Sequence, residues 1–205
     1  MSTATATQAE VEVKGELAVS ANESYVSWEV FEKDYLTRED EFRYEWLDGT
    51  IEKTHRPMNR TQILIQTNIK DAFVALRLAK KVNGRLVAEG DLFFKNHHRR
   101  PDLCWLTGKQ INSLHKGNKD VPAFTIEIIS KRDSMNQMAR KMNDYRRADV
   151  QTVWHIFPKL KEVHVYYGKN LSKMEVFRDE ETFSAAPVLA EFKLKVSELF
   201  QEIEE

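Results

Sequence analysis

The segment Phe124-Thr125-Ile126-Glu127-Ile128-Ile129 constrains the fold more than any other part of the chain. It is a near-continuous apolar run, which is typical of a central strand that is buried on both faces of a sheet. Glu127 is the only carboxylate within it. A charge in such a strand costs several kcal/mol unless it is paired or binds a cation. The fold must therefore cover this strand and give Glu127 a partner, either a buried Arg or Lys or a metal ion.

Patterns before this strand predict a hairpin and a long helix. The alternation of Phe42, Tyr44 and Trp46 with other residues indicates a strand. The Asp48-Gly49 pair after it is a strong signal for a tight hairpin turn, because Gly accepts the positive φ that such a turn needs. Helical spacing of apolar residues from Ile65 to Ala79, behind the capping pair Asn59 and Gln62, predicts a helix of about five or six turns.

The remaining patterns complete a mixed architecture. Strand-like segments occur at 85–94, 103–106, 153–157 and 163–167, and helical ones at 135–148, behind Ser134 and Gln137, and at 196–203. Residues 95–100 are expected to form a polar turn and residues 107–122 a polar connection. The order predicts one domain over 23–205 of the α/β or α+β class, with a mixed sheet, after a loose tail over 1–22.

The net charge of −1 conceals a segregation of charge along the chain. Residues 1–53 carry a net charge of −8, residues 54–174 one of +13, and residues 175–205 one of −6. A basic block can be the footprint of a polyanion, although charges from separate segments can also mix on the folded surface.

Other features of the composition bear on location. No run of about 18 apolar residues occurs, so no membrane-spanning helix is expected. The first eight residues lack the basic and apolar regions of a secretory signal. Cys104 is the only cysteine and cannot form an internal disulfide, so a reducing cytoplasm is the expected location.

Two carboxylates in adjacent predicted strands suggest a cation site. Asp102 begins the short apolar strand at 103–106, and Glu127 lies within the strand described above. Taken singly, Asp102 is an ordinary turn residue and Glu127 a member of a salt bridge. Together they form a pair suited to Mg²⁺, which one or two carboxylates hold while water and phosphate oxygens fill its other positions. A nearby Lys would orient an attacking water and offset charge on a phosphate.

Five short motifs in order resemble the Uma-type putative restriction endonuclease family, within the PD-(D/E)XK nuclease superfamily. The motifs are Tyr44-Glu45-Trp46-Leu47-Asp48-Gly49, Arg100-Pro101-Asp102-Leu103, Ile126-Glu127-Ile128-Ile129-Ser130, Lys141 with Tyr145, and Val150 with Trp154. The resemblance covers roughly residues 27–200. It implies a restriction-endonuclease-like fold, with a mixed central sheet flanked by helices, and a metal-dependent DNA endonuclease activity.

The resemblance also implies roles for particular residues. Asp102 and Glu127 would bind Mg²⁺ or Mn²⁺, and Glu45 would assist them or else be a solvent-facing hairpin residue. The superfamily's catalytic Lys lies two residues after its Glu, where this chain has Ile129. The family pattern implies a Lys projected from the following helix, which points to Lys141, with Lys131 as its rival.

Two further departures from the family pattern are Arg60, where a His is usual, and Asp149, where a Gly is common. The adjacent His97 and His98 point in opposite directions on an extended chain, so a zinc site is not expected, and a basic loop is the better interpretation. The cations predicted to contact DNA phosphates are Arg99, Arg100, Lys131, Arg132 and Arg140.

Two other readings remain open. A noncatalytic DNA-binding or scaffold protein on the same fold would explain the missing Glu-x-Lys pattern. A protein-interaction module that uses the acidic ends of the chain is the other alternative. If the protein does cut duplex DNA, two sites are needed, so a homodimer is expected.

Overall fold

The computed structural model describes residues 25–55, 59–131 and 133–203. The predicted tail over 1–22 lies outside the described residues. The helices are α1 (Trp28–Phe31), α2 (Arg60–Leu78), α3 (Gly108–His115) and α4 (Met135–Arg147). The strands are β1 (Phe42–Leu47), β2 (Thr50–His55), β3 (Arg85–Ala88), β4 (Leu92–Phe94), β5 (His97–Arg99), β6 (Leu103–Leu106), β7 (Phe124–Ile128), β8 (Thr152–Phe157), β9 (Glu162–Tyr167), β10 (Lys173–Arg178), β11 (Thr182–Ala185) and β12 (Leu189–Lys195).

A six-stranded mixed sheet forms the centre, in the order β10-β9-β8-β7-β6-β3. Strands β7 and β8 pair in parallel, with helix α4 in the connection between them, and the other neighbours pair antiparallel. Every residue of β7 is buried, as the apolar run predicts. The α+β class with a mixed central sheet is therefore confirmed.

Side chains along the central strands alternate between the two faces of the sheet, and one long helix packs against each face. Leu103 and Trp105 of β6 join a core that includes Ile65, Ile69 and Phe73 of α2. Cys104 and Leu106, which point the other way, join a second core with Met142 and Tyr145 of α4. The two-residue period of a strand thus places each side chain on one of two covered faces. The side chain of Glu127 lies on the sheet face that α4 covers, and it bonds to two residues of that helix.

The hairpin predicted at Asp48-Gly49 is present and belongs to a second sheet of four strands, in the order β2-β1-β5-β4. Asp48 and Gly49 both have positive φ, as a tight turn requires. Strand β5 pairs with β1 through Trp46↔His98 and ends directly before Arg100-Pro101-Asp102. This connection brings the hairpin beside the start of β6.

The capping predictions are confirmed. Asn59 and Ser134 each accept the backbone N–H three residues later, and Gln62 and Gln137 return the bond to the cap's own N–H. These reciprocal bonds satisfy backbone groups that a helix start would otherwise leave without partners.

Four local predictions are wrong. Residues 85–94 form two strands, β3 and β4, rather than one, and residues 95–100 contain strand β5. Residues 107–122 contain helix α3, whose cap Thr107 accepts from the Gln110 N–H at 3.2 Å. The segment 196–203 forms only a 3₁₀ turn over Ser197–Phe200. Within the described residues, no helix has the length and apolar character needed to cross a membrane.

Candidate active site

Asp102 and Glu127 lie at the same end of the central sheet. Antiparallel pairing of β6 with β7 sets Leu103 opposite Ile126, so the residues next to them, Asp102 and Glu127, are also neighbours across the strands. The Ile128 N–H donates to Asp102 Oδ2 at 2.7 Å. Both carboxylates are buried, with 6% of Asp102 and 4% of Glu127 exposed.

Helix α4 supplies two partners for Glu127. Lys141 Nζ lies 3.1 Å from Glu127 Oε2, and the Tyr145 hydroxyl donates to Glu127 Oε1. Lys141 and Tyr145 are four residues apart, so they stand one above the other on the same face of the helix. The buried carboxylate of β7 is therefore held at both oxygens.

Glu45 of β1 reaches the same site from the hairpin. Its Oε1 accepts the Arg100 N–H at 2.7 Å and lies 4.0 Å from Lys141 Nζ. Its Oε2 accepts from Arg99 Nη1 at 3.0 Å. Glu45 is only 3% exposed, which excludes the alternative of a solvent-facing hairpin residue.

Lys141 rather than Lys131 reaches the carboxylates. Lys131 is exposed and makes no ion pair with any carboxylate among the residues that the structure describes. Ile129 occupies the usual place of the superfamily's lysine, and its side chain is uncharged. The ammonium group of Lys141 on α4 provides the positive charge instead.

The electrostatic environment shifts the pKa values of Asp102 and Glu45 in opposite directions. Burial, followed by the negative charge of Glu127, raises the pKa of Asp102 to about 6, against the attraction of Arg43. Burial would also raise the pKa of Glu45, but the positive charges of Lys141, Arg99 and Arg43 outweigh it and lower that pKa to about 2. Ionised Asp102 is therefore disfavoured at neutral pH relative to water, whereas ionised Glu45 is favoured.

Lys141 stays protonated. Burial opposes its charge, but the negative charges of Glu127 and Glu45 more than compensate and raise its pKa above the usual value. A lysine in this state can donate hydrogen bonds and offset negative charge, but it cannot accept a proton from water.

The pair Asp102 and Glu127 has the chemistry that a hard cation requires. Asp102 Oδ2 accepts one N–H bond, and its Oδ1 has Arg43 Nη1 at 3.7 Å, beyond hydrogen-bond distance. Each oxygen of Glu127 accepts one bond, which leaves capacity on a carboxylate with about four lone-pair sites. Within the described ranges no group of three or more His, Cys, Asp or Glu side chains could hold a metal ion. A cation here would therefore complete its shell with water or substrate oxygens, as Mg²⁺ commonly does.

The cations predicted to contact DNA differ in how accessible they are. Arg99 is fully buried and bound to Glu45, Glu52 and Asp144, so its prediction as a phosphate contact is corrected. Arg100 is mostly buried, and its guanidinium bonds to Asp91 and the Leu36 carbonyl.

Two other members of that set remain at the surface. Lys131 is exposed, and Arg140 is exposed but pairs with Glu52. Arg132 lies outside the described residues.

Three contributors to the site were not assigned a role from the sequence. They are Tyr145, which donates to Glu127; Arg43, whose Nη1 lies between Glu89 and Asp102; and His155, opposite Glu127 on β8. Burial, followed by the charge of Lys141, lowers the pKa of His155 to about 3, so it stays neutral. The sequence could have indicated Arg43, because residues two apart in a strand, here Arg43 and Glu45, lie on the same face.

Comparisons with known proteins agree with this fold. A solved structure described as a putative nuclease belonging to DUF820 from Anabaena variabilis ATCC 29413 is 23% identical to this chain, covers 80% of it and 92% of its own length, and gives a TM-score of 0.66. This likeness supports the restriction-endonuclease-like fold that the motifs implied. A search of curated proteins found no match. A family model described as Uma2, putative restriction endonuclease, matches residues 23–197, most of the chain. The chain therefore belongs to the Uma2 family.

Proposed function

We propose that this protein is a metal-dependent DNA endonuclease that hydrolyses phosphodiester bonds at the site formed by Asp102, Glu127, Lys141 and Glu45. The observation that carries the proposal is the convergence of Lys141 and two buried carboxylates, Glu127 and Glu45, beside Asp102 at one end of the sheet. Membership of a family described as putative restriction endonucleases supports the same activity.

Asp102 and Glu127 would hold Mg²⁺ or Mn²⁺. When bound, the cation supplies Lewis-acid stabilisation of the negative charge that develops on the scissile phosphate. Tyr145 and Lys141 fix the two oxygens of Glu127, so this carboxylate is oriented before substrate arrives. The fixed orientation reduces the reorganisation needed at the moment of reaction.

Lys141 acts as a donor in this proposal. Its protonated Nζ orients the attacking water or a phosphate oxygen and offsets negative charge there. Glu45, ionised and 4.0 Å away, keeps the ammonium group near the carboxylates. Because Lys141 keeps its proton, the proton of the attacking water must leave through another group, such as a phosphate oxygen or solvent.

DNA would be held by exposed cations at the edge of the site, of which Lys131 and Arg140 are the described candidates. Arg132 stays a prediction as a third. A homodimer also stays a prediction, since cutting both strands of a duplex requires two sites.

The test is cleavage of supercoiled, linear duplex and single-stranded DNA by purified protein with Mg²⁺, Mn²⁺ or EDTA. We expect Asp102→Ala and Glu127→Gln to abolish cleavage and Lys141→Met to lower its rate by about 100-fold or more. The exposed Lys116 provides a control, Lys116→Met, that removes a lysine charge on α3's C-terminal end without touching the site.

Three outcomes contradict the proposal or a part of it. Equal cleavage by wild type and Asp102→Ala, or no metal-dependent cleavage of any DNA form, would refute the endonuclease function. In the second case, calorimetry that also shows no Glu127-dependent Mn²⁺ binding would favour the noncatalytic DNA-binding protein. Loss of cleavage in Lys131→Met but not in Lys141→Met would refute only the choice of lysine.

A further inference from the structure

Strand β5 and the residue after it present a charged group on each side, one around Asp144, whose side chain is 3% exposed, and one around Asp91, whose side chain is 48% exposed. On one side, Asp144 of α4 lies 2.6 Å from His97 Nδ1 and accepts from Arg99 Nε at 2.8 Å. On the other side, Asp91 lies 2.9 Å from His98 Nε2 and accepts from Arg100 Nε. The two-residue period of an extended chain explains this division. Only the first group includes a residue of the helix that carries Lys141.

Arg99 joins that helix to the hairpin. Its fully buried guanidinium bonds to Asp144 of α4 through Nε, and to Glu45 and Glu52 through Nη1 at 3.0 and 2.7 Å. Arg140 of α4 also pairs with Glu52. A guanidinium presents several donors in a fixed planar arrangement, so it sets the relative position of the groups that it binds.

Asp144 and Lys141 belong to the same helix, α4. Asp144 lies between Lys141 and Tyr145 on the same helix, within one turn of both. Glu45, the other group bound by Arg99, is 4.0 Å from Lys141 Nζ. A helix that shifts relative to the hairpin would therefore change the distance between Lys141 and Glu45, and the contact of Lys141 with Glu127.

We infer that Arg99 and Asp144 are positioning residues that fix helix α4 against the β1–β2 hairpin and so place Lys141 for the reaction. This inference rests on the proposed endonuclease function and deepens it. Neither residue touches the reacting atoms; both act through Lys141 and Glu45. Misplacement of a catalytic group by about 1 Å can cost about 100-fold in rate, so the effect belongs in kcat rather than in KM.

A purely structural buried ion pair is the competing explanation. The distance from Lys141 Nζ to Glu45 Oε1 and the split between kcat and KM separate it from positioning, and Asp91, whose side chain is 48% exposed, is the control for loss of an ion pair beside β5. Asp144→Ala removes the acceptor of Arg99 and His97, whereas Asp91→Ala removes the acceptor of Arg100 and His98 on the opposite side of β5. Asp144→Asn keeps an oxygen that can accept from Arg99 Nε and is the conservative rescue. If Asp144→Ala fails to fold, Asp144→Glu is measured instead, because Glu keeps the negative charge but carries it on a longer side chain.

The experiment measures kcat and KM for DNA cleavage, at a temperature where every variant is folded, together with crystal structures of the same variants. We expect Asp144→Ala to lower kcat by about 10- to 100-fold at unchanged KM, Asp144→Asn to recover most of it, and Asp91→Ala to keep the wild-type kcat. We also expect Lys141 Nζ in Asp144→Ala to lie farther from Glu45 Oε1 than the present 4.0 Å.

The inference is overturned if Lys141 keeps its place in Asp144→Ala, or if Asp91→Ala lowers kcat as much as Asp144→Ala does. The crystallographic distance decides the positioning role even if the wild-type protein cuts no DNA. Absence of DNA cleavage by the wild-type protein would refute the proposed function alone, so failure of the function and failure of the inference can be told apart.

Discussion

Replacing Asp102 by Asn should stabilise the metal-free protein while it removes the proposed endonuclease activity. Asp102 is 6% exposed, and its carboxylate sits beside Glu127 with Arg43 as a distant counter-charge. Burial and the charge of Glu127 raise its pKa from the usual 3.8 to about 6. Asn has no charge to bury, and its side-chain oxygen can still accept from the Ile128 N–H.

The magnitude follows from the difference in proton affinity between the folded and unfolded states. Because the folded-state pKa of Asp102 is the higher one, the folded protein holds the proton more tightly, and stability falls as pH rises from about 4 through about 6. Above that range the ionised carboxylate costs about 3 kcal/mol. We therefore expect Asp102→Asn to raise the free energy of unfolding at pH 8 by up to about 3 kcal/mol and to have little effect below pH 4.

The assay is urea unfolding of both proteins at pH 4 and pH 8 with EDTA, repeated at pH 8 with Mg²⁺. A ligand that binds only the folded state stabilises it according to its concentration and Kd, so Mg²⁺ should stabilise wild type more than Asp102→Asn. Glu191→Gln, at an exposed position, is the control and should change neither curve. A variant that is less stable than wild type at pH 8 in EDTA would refute the reasoning.

Two other predictions concern charges at the same end of the sheet. The pKa of Glu45 is lowered from 4.5 to about 2, so its ionised form stabilises the protein above pH 4.5, and this stability is lost as the pH falls towards 2. Glu45→Gln should therefore lower the free energy of unfolding at pH 7 by up to about 3 kcal/mol. Urea unfolding at pH 3 should show a smaller difference between the variant and wild type. If Lys131 contacts a DNA phosphate, Lys131→Gln should reduce the slope of log affinity against log salt concentration by about one, as measured by fluorescence anisotropy. An unchanged slope would remove Lys131 from the interface.

Local sequence rules predicted the elements whose signals lie within a few residues. The Asp48-Gly49 turn, the capping pairs of α2 and α4 and the buried strand around Glu127 each depend on adjacent groups, and each is present. Helix α3 begins with the same kind of capping box, formed by Thr107 and Gln110, but the polar composition of residues 107–122 predicts a loop and hides this signal.

The parts that could not be predicted depend on residues far apart in the chain. Arg99 lies in a run of basic residues that reads as a polar turn, and its burial requires carboxylates from Glu45, Glu52 and Asp144. Nothing within several residues of Arg99 indicates any of them. The family resemblance, rather than local spacing, points to Lys141, because it follows Glu127 by 14 positions and lies on a different element.

The segregation of charge along the sequence is partly reversed by the fold. Arg43, Glu45 and Glu52 come from the acidic first block, and Glu45 and Glu52 accept from Arg99 of the basic middle block. Lys141 and Arg140, also from the middle block, pair with carboxylates at the site and at Glu52. Glu45 and Glu52 therefore neutralise part of the net charge of +13 between residues 54 and 174, and the fully buried Arg99 cannot contribute to affinity for a polyanion. Three cations of the basic block, Arg99, Arg140 and Lys141, are counter-charges for Glu45, Glu52 and Glu127, whereas exposed cations of the block such as Lys131 are available to contact phosphates.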